Sequence, residues 1–398
     1  SRGLGDVYKR QSDTNGGKRS FSAIVSIIIA VVLIVMIGLA LSDARGENNA
    51  IRWLNFGGGE GGGAGTTTVE GIIGSEKRDY FEDPEVKSRL AELGYTVKFS
   101  TAGSRQIATN TDLDKQDFVF PSSGPAAQKV KSQGGSYSVD YPFFTPMAIA
   151  SWQPIVNLLE QEGVVRNTGD GYAFDMGAYV KLAESGKRWR DLGDTFPSPR
   201  QVQVSTTDIR TSNSAAMYLS LLTWQFDQEE PGMSTEELVD KISPFFVGQG
   251  YSESSSSAPF RDYLSQGMGS TPLVLVYEAQ FLGEQMKDNS RVRDDMVLLR
   301  LEPTVVANHG IVGISDKGKE LGRLLSTDPE LQRLAAKHGF RPAESGSLAD
   351  ELQAHGLPAP SDYVNSVDPP TFDRLEQLLD AVGQRYSGQP PANEEATL

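Results

Sequence analysis

Gln203-Val-Ser-Thr-Thr-Asp-Ile-Arg-Thr-Ser-Asn-Ser-Ala-Ala-Met-Tyr-Leu-Ser-Leu-Leu222 carries three patterns in succession. The alternating Val202 and Val204 read as a strand, Thr206 to Ser214 form an almost wholly polar run, and Met217, Leu221, Leu222 and Trp224 return at helical spacing. A strand therefore runs through a polar turn into a helix start. Such a turn gathers unpaired backbone N–H groups, short hydroxyls and the positive end of a helix dipole, a combination that grips a small polar or anionic ligand. Ser, Thr, Asn and Asp are equally what an ordinary helix cap prefers, so capping stands beside binding as a reading of the same residues.

Working outward, the pattern on both sides is α/β. Val69-Glu-Gly-Ile-Ile-Gly74 reads as a strand, Ser75 to Leu93 as a polar helical region stopped by Gly94, and Tyr95 to Ser100 as an alternating strand, together a βαβ unit. Asp117-Phe-Val-Phe120 is a third strand, and parallel strands of this kind present ligand sites at their carboxyl ends, here Gly74–Ser75 and Ser122–Ser123. Met147 to Trp152 reads as a strand leaving this region, followed by a helix over 153–161. Further on come a helix over 177–184, a strand into Thr207, the helix after Ser214, a capping box at Ser234-Thr-Glu-Glu237 and a buried strand over Pro272 to Tyr277. Asp294 to Leu301 reads as a return crossing. Helices then cover 317–325 and the segment capped by Asp328 and Pro329 and ended by Gly339. An amphipathic helix over Thr371 to Tyr386 sets Phe372, Leu375, Leu378, Leu379 and Val382 on one face, placed to dock back on the domain.

Four segments in order carry a family resemblance: Thr207-Asp-Ile-Arg-Thr-Ser-Asn-Ser214, Leu273-Val-Leu-Val-Tyr-Glu-Ala-Gln280, Leu301-Glu-Pro-Thr-Val-Val-Ala-Asn-His309 and Leu331-Gln-Arg-Leu-Ala-Ala-Lys-His-Gly-Phe-Arg-Pro342. The chain from Thr68 to Gly388 resembles the bacterial extracellular solute-binding proteins with the type II periplasmic-binding fold. The resemblance implies a non-enzymatic two-lobed α/β domain over 69–388, with lobe 1 at 69–150 and 296–345, lobe 2 at 151–295, and a helical tail over 346–388. It implies a cleft lined by Ser75, Ser122, Ser123, Ser151, Trp152, Arg210, Thr211, Ser212, Asn213, Tyr277 and Glu278. Ser75 and Ser122 have helix capping as an alternative role, Trp152 has the core, and Glu278 has pairing with Arg210 or another cation. Ala215 stands where the family often has glycine, which narrows backbone approach to a ligand. The implied partners are a small polar solute and a transporter permease or membrane sensor; the alternative is a cell-envelope scaffold that keeps the fold without a ligand.

The amino-terminal part reads differently. Phe21 to Ser42 is an uncharged apolar run of the length that spans a ~30 Å hydrocarbon core. Lys18 and Arg19 precede it and Asp43 and Glu47 follow, an asymmetry that places residues 1–20 in the cytoplasm and the rest outside a cell membrane crossed once. A cleavable signal segment ending near Ala40-Leu-Ser42 is the competing reading. Asp6-Val-Tyr-Lys-Arg-Gln11 resembles an in-frame sequencing adaptor, so no function is read from residues 1–11. Residues 43–68, with Gly57-Gly-Gly-Glu-Gly-Gly-Gly-Ala-Gly65, form a flexible linker, and 389–398 a disordered tail.

Composition removes several chemistries. No cysteine is present, so thiol catalysis, disulfides and thiolate metal sites are excluded. The three histidines, His309, His338 and His355, have no metal-ligand spacing, and no cofactor or metal is expected. A formal net charge of -15 opposes nucleic-acid binding.

Overall fold

A computed structural model describes residues 65–248, 258–343, 347–362 and 364–386. All of these belong to one unit, Ala64–Leu398. The apolar run over 21–42, most of the glycine-rich linker and the tail 389–398 lie outside the described residues. Among those described, no helix is long and apolar enough to cross a membrane.

Strand β1 (Thr67–Ile73) alternates apolar and polar residues and buries Val69, Gly71 and Ile73 on one face. It lies between β2 (Tyr95–Thr101) and β3 (Phe118–Phe120), parallel to both. Gly71 is needed there, because a Cβ would sit 2.4 Å from the carbonyl oxygen of Phe118. Two long antiparallel strands complete the sheet: β4 (Ser138–Trp152) and β9 (Thr304–Gly313), with β9 also pairing β3. From Ser138 to Pro146, β4 pairs with β9; from Met147 to Trp152 it pairs instead with β7 (Val274–Tyr277) and β8 (Met296–Glu302). The remaining strands are β5 (Val165–Asn167) and β6 (Tyr172–Asp175) beside β8, the two-residue β10 (Arg341–Pro342) on β4, and β11 (Ser366–Val367) on β9.

One strand thus changes partners part-way, and the core divides with it. The first lobe holds apolar clusters around Val69, Ile73, Phe120 and Phe143 and around Ile107, Val119 and Val130. The second holds a larger cluster around Ile149, Trp152, Tyr179, Tyr218 and Val276. The two lobes are continuous through β4 and through the short link from β8 into β9.

Three sequence expectations are corrected. The strand expected to run into Thr207 is not a ladder: Ser205 makes one isolated parallel bridge to Val274 and Gln201 one to Arg188. The Val204 N–H donates to the Tyr179 hydroxyl, while Val202 and Ser205 bond to the carbonyls of Lys187 and Leu273, so the segment satisfies its backbone on scattered partners instead of a continuous ladder. The polar helix expected over Ser75 to Leu93 is broken into a 3-10 turn (Ser75–Lys77) and helices Arg78–Glu82 and Pro84–Glu92, because Asp83 caps the helix that Pro84 opens. The strand expected to start at Met147 begins nine residues earlier, at Ser138, and β4 itself carries the chain from one lobe to the other.

Candidate functional site

β1 ends at Ile73, and the 3-10 turn that follows places Lys77 under the strand ends rather than on the surface. Its side chain is wholly buried, and its ammonium lies 2.9 Å from each of three acceptors: Glu76 Oε1, Ser122 Oγ and His309 Nδ1. These come from the ends of β1 and β3 and from the middle of β9. The ammonium also stands 4.8 Å from the centre of the Phe120 ring. Burial lowers the Lys77 pKa while the Glu76 carboxylate pulls it back up. His309 is held well below the ordinary histidine range, first by burial and then by the Lys77 charge, so it is neutral at physiological pH. Because Lys77 donates to Nδ1, the proton of the neutral ring sits on Nε2, which is buried without a hydrogen-bond partner.

A serine beside a buried lysine invites comparison with a hydrolytic dyad, and the hydrogen-bond geometry speaks against it. A base needs a lone pair on nitrogen, whereas three acceptors, one of them the Glu76 carboxylate, surround Lys77 Nζ and match the three N–H donors of an ammonium. Ser122 therefore accepts from Lys77 and keeps its own hydroxyl proton for another partner.

Above this floor a cavity of about 260 Å³ opens between Ser75, Glu76 and Asp79 of the first lobe and Phe260, Arg261, Leu264, Tyr277 and Gln280 of the second. Tyr277 links the cavity to the polar turn. Its hydroxyl accepts from Asn213 Nδ2 at 2.8 Å, and the same amide reaches the Ser122 carbonyl at 3.4 Å across the lobe boundary. The cavity carries three acidic groups, Glu76, Asp79 and Glu284, and three basic ones, Arg261, Lys287 and Arg291, with Phe260, Tyr277 and Phe340 as aromatic walls. Lys287 bridges Asp79 and Glu284, and Arg291 also pairs with Glu284. Among the described residues no group of three or more metal-ligating side chains is suited to an ion.

The expected site residues separate into two sets. Ser75, Ser122, Asn213 and Tyr277 meet at or beside the cavity. Ser123 caps the helix Gly124–Lys131 by accepting from the Ala126 N–H. Ser212 is the N-cap residue of the helix Asn213–Glu229, and its hydroxyl, with that of Ser214, gathers on Thr207. Thr211 turns back to the Asp208 carbonyl. Arg210 makes a two-pronged pair with the buried Asp208 and stacks 4.7 Å from the ring centre of Tyr386. Glu278 is clamped by Arg341 through two charge-assisted bonds of 2.8 and 2.9 Å, so its cation is Arg341 and not Arg210. Ser151 and Trp152 donate to the carbonyls of Pro272 and Thr271. Tyr277 faces Met147 across the β4–β7 ladder, so Ser151 and Trp152 lie about 13–17 Å further along β4 at ~3.4 Å per residue. Ala215 is buried in the second-lobe core.

Lys77, Glu76 and His309 were not singled out from the sequence. A charged pair just after a strand is the usual sign of a solvated helix start, and only the pairing of β1, β3 and β9 turns it inward.

The fold has counterparts among solved structures. A solute-binding protein of an ABC transporter from Thermotoga lettingae, described with bound α-D-tagatose, matches with a TM-score of 0.53 at 10% identity, covering 82% of this chain and 95% of that one. This is the two-lobed fold of the type II solute-binding proteins. Iron-bound HitA from Pseudomonas aeruginosa matches with a TM-score of 0.50 at 12% identity, covering 79% of this chain and 99% of that one. The ferric binding protein from Campylobacter jejuni matches with a TM-score of 0.50 at 10% identity, covering 80% and 98%. No family model matches the chain. No curated protein matches it significantly. At these identities the solute-binding fold shows the architecture, and the chemistry of the cleft is carried by this chain's own residues.

Proposed function

We propose that the chain binds a small polar solute, without chemical conversion, in the cleft between its lobes, as the extracytoplasmic receptor of a transporter or membrane sensor. The observation that carries the reading is the Tyr277 junction: Asn213 of the second lobe bonds both Tyr277 and the first-lobe Ser122 beside a cavity walled by aromatic and polar groups of both lobes. Ligand sites in two-domain folds form at such junctions. The solved structures of this fold are described as binding a sugar and iron, which supports solute binding as a class. In this reading residues 21–42 tether the domain to the cell membrane, residues 1–20 stay in the cytoplasm, and a permease or sensor contacts the loaded lobes.

A thermal-shift screen against sugars, amino acids and inorganic anions tests it. A solute at about a hundred times its dissociation constant stabilises by roughly 2.7 kcal/mol, or about 5–10 °C for a domain of this size. Tyr277→Phe and Ser75→Ala should abolish most of the shift. Absence of any shift across the screen would sink the reading.

A second reading, a cell-envelope scaffold that keeps the fold without a ligand, draws on the internal partners of Arg210, Ser123 and Glu278. Each spends its polar atoms on the protein itself.

A further inference from the structure

We infer that the carboxyl-terminal helix Phe372–Gly383 is a strap across the two lobes, permanently seated on the second and held to the first by a releasable ionic latch centred on Arg105. Its two sides differ in chemistry. Leu375, Leu378, Leu379 and Val382 are buried in the second-lobe cluster, and Tyr386 just beyond the helix joins them under Arg210. Burial of that many large apolar side chains is insensitive to salt and does not release piecemeal.

The first-lobe side is charged. Arg105, on the helix Ser104–Asn110, lies 2.7 Å from Glu376 and 2.5 Å from Asp380, and Lys129, on the helix Gly124–Lys131, lies 3.1 Å from Asp373. Arg105 also donates across the boundary to the Arg210 carbonyl at 3.1 Å. Phe372 is the one strap side chain placed against the first-lobe cluster, and it is only partly buried. Asp380, Asp373 and Lys129 are solvent-accessible, so salt screens the Arg105–Asp380 and Lys129–Asp373 pairs, with a Debye length of about 10 Å at 0.1 M, and acts less on the half-buried Arg105–Glu376 pair. Lobe separation by hinge motion must break the Arg105 and Lys129 contacts while the apolar face stays seated. The strap therefore sets how readily the cleft opens, whether or not a solute occupies it.

The chain has no cysteine, so a pair of spin labels can be introduced cleanly. Ser132→Cys and Gln228→Cys place one label at the far end of each of two helices that start at the lobe boundary, one per lobe. Pulsed electron spin resonance on the purified full chain at low salt should give one short distance. Arg105→Ala with Lys129→Ala should add a population longer by several ångströms. About 0.5 M salt should produce the same population in the labelled parent and little more in the double variant. If the double variant keeps the parent's distance distribution at both salt concentrations, the latch does not hold the lobes and the inference falls. A thermal melt of the double variant close to the parent's separates latch release from unfolding.

Discussion

The Lys77 ammonium lies 2.9 Å from both Ser122 Oγ and His309 Nδ1, joining the first-lobe strand ends beneath the cleft. The Glu76 carboxylate, almost as buried, supplies its counter-charge. Removing one member of a buried ion pair leaves the other uncompensated, which costs about 3–5 kcal/mol. Lys77→Met should therefore destabilise by that order in urea unfolding, and the double variant Lys77→Met with Glu76→Gln should recover a large part. Equal losses in the single and double variants would show that packing, and not charge, is what Lys77 supplies.

Arg210 and Asn213 lie close together in the chain and should respond unequally. Arg210 neutralises Asp208, which is 1% exposed, so Arg210→Ala should cost about 2–3 kcal/mol of stability. Asn213→Ala removes the bonds to Tyr277 and to the Ser122 carbonyl and should cost only about 1 kcal/mol. Chemical denaturation of the two variants side by side checks the order, and the reverse ranking would contradict it.

Gly74 has an ordinary extended backbone, so its constraint is space and not conformation. A Cβ there would stand 2.3 Å from Ser122 Oγ, 2.5 Å from Glu76 Oε1 and 2.9 Å from Lys77 Nζ. Gly74→Ala should destabilise by about 1–3 kcal/mol through displacement of the ion cluster. Gly94→Ala is a control of different origin, since its φ of 91° makes alanine strained although nothing crowds the position. Loss at Gly94 but none at Gly74 would contradict the crowded floor.

Acid should weaken the fold in two stages. His309 and His338 both have folded-state pKa values below the ordinary histidine value, His309 well below, with burial the leading cause for each. As pH falls through about 6.5 the unfolded chain takes up protons that the folded chain refuses, so stability declines, by up to about 1.4 kcal/mol per pH unit for each such group. Asp83, Asp117 and Asp328 have lowered folded-state pKa values, so their contribution is present above the ordinary carboxylate range and is lost as pH falls through the folded values. Denaturation at pH 7.5 and 5.5 should show the first stage, and His309→Asn should reduce the difference. An unchanged difference in that variant would assign the slope elsewhere.

The helix starts show why part of this architecture is readable in one dimension. Ser234 with Glu237 forms the reciprocal capping box, and Asp328 with Pro329 opens the next late helix, because each motif closes its hydrogen bonds within four residues. The parallel pairing of β1 and β2 follows from apolar alternation around a helix and a Gly94 stop. The segment into Thr207 looked like a strand for the same local reason and is not one, since its Val204 N–H found the Tyr179 hydroxyl 25 positions away.

Patterning along the chain was enough for the α/β class, several of the helices and strands and the polar turn at 206–214, since propensity, capping and alternation act over a few residues. It could not assign the partners of the charged groups in that turn or at the strand ends. Arg210 was suited to a ligand or to Glu278; it pairs instead with Asp208 two residues away, and its stacking on Tyr386 depends on a segment more than 150 residues later folding back. Lys77 looked like one more surface lysine; it is buried because β1, β3 and β9 bring Glu76, Ser122 and His309 to one point. Hydrogen bonds and ion pairs between residues far apart in sequence are fixed by strand register and lobe packing, and those quantities are defined only once the chain has closed on itself.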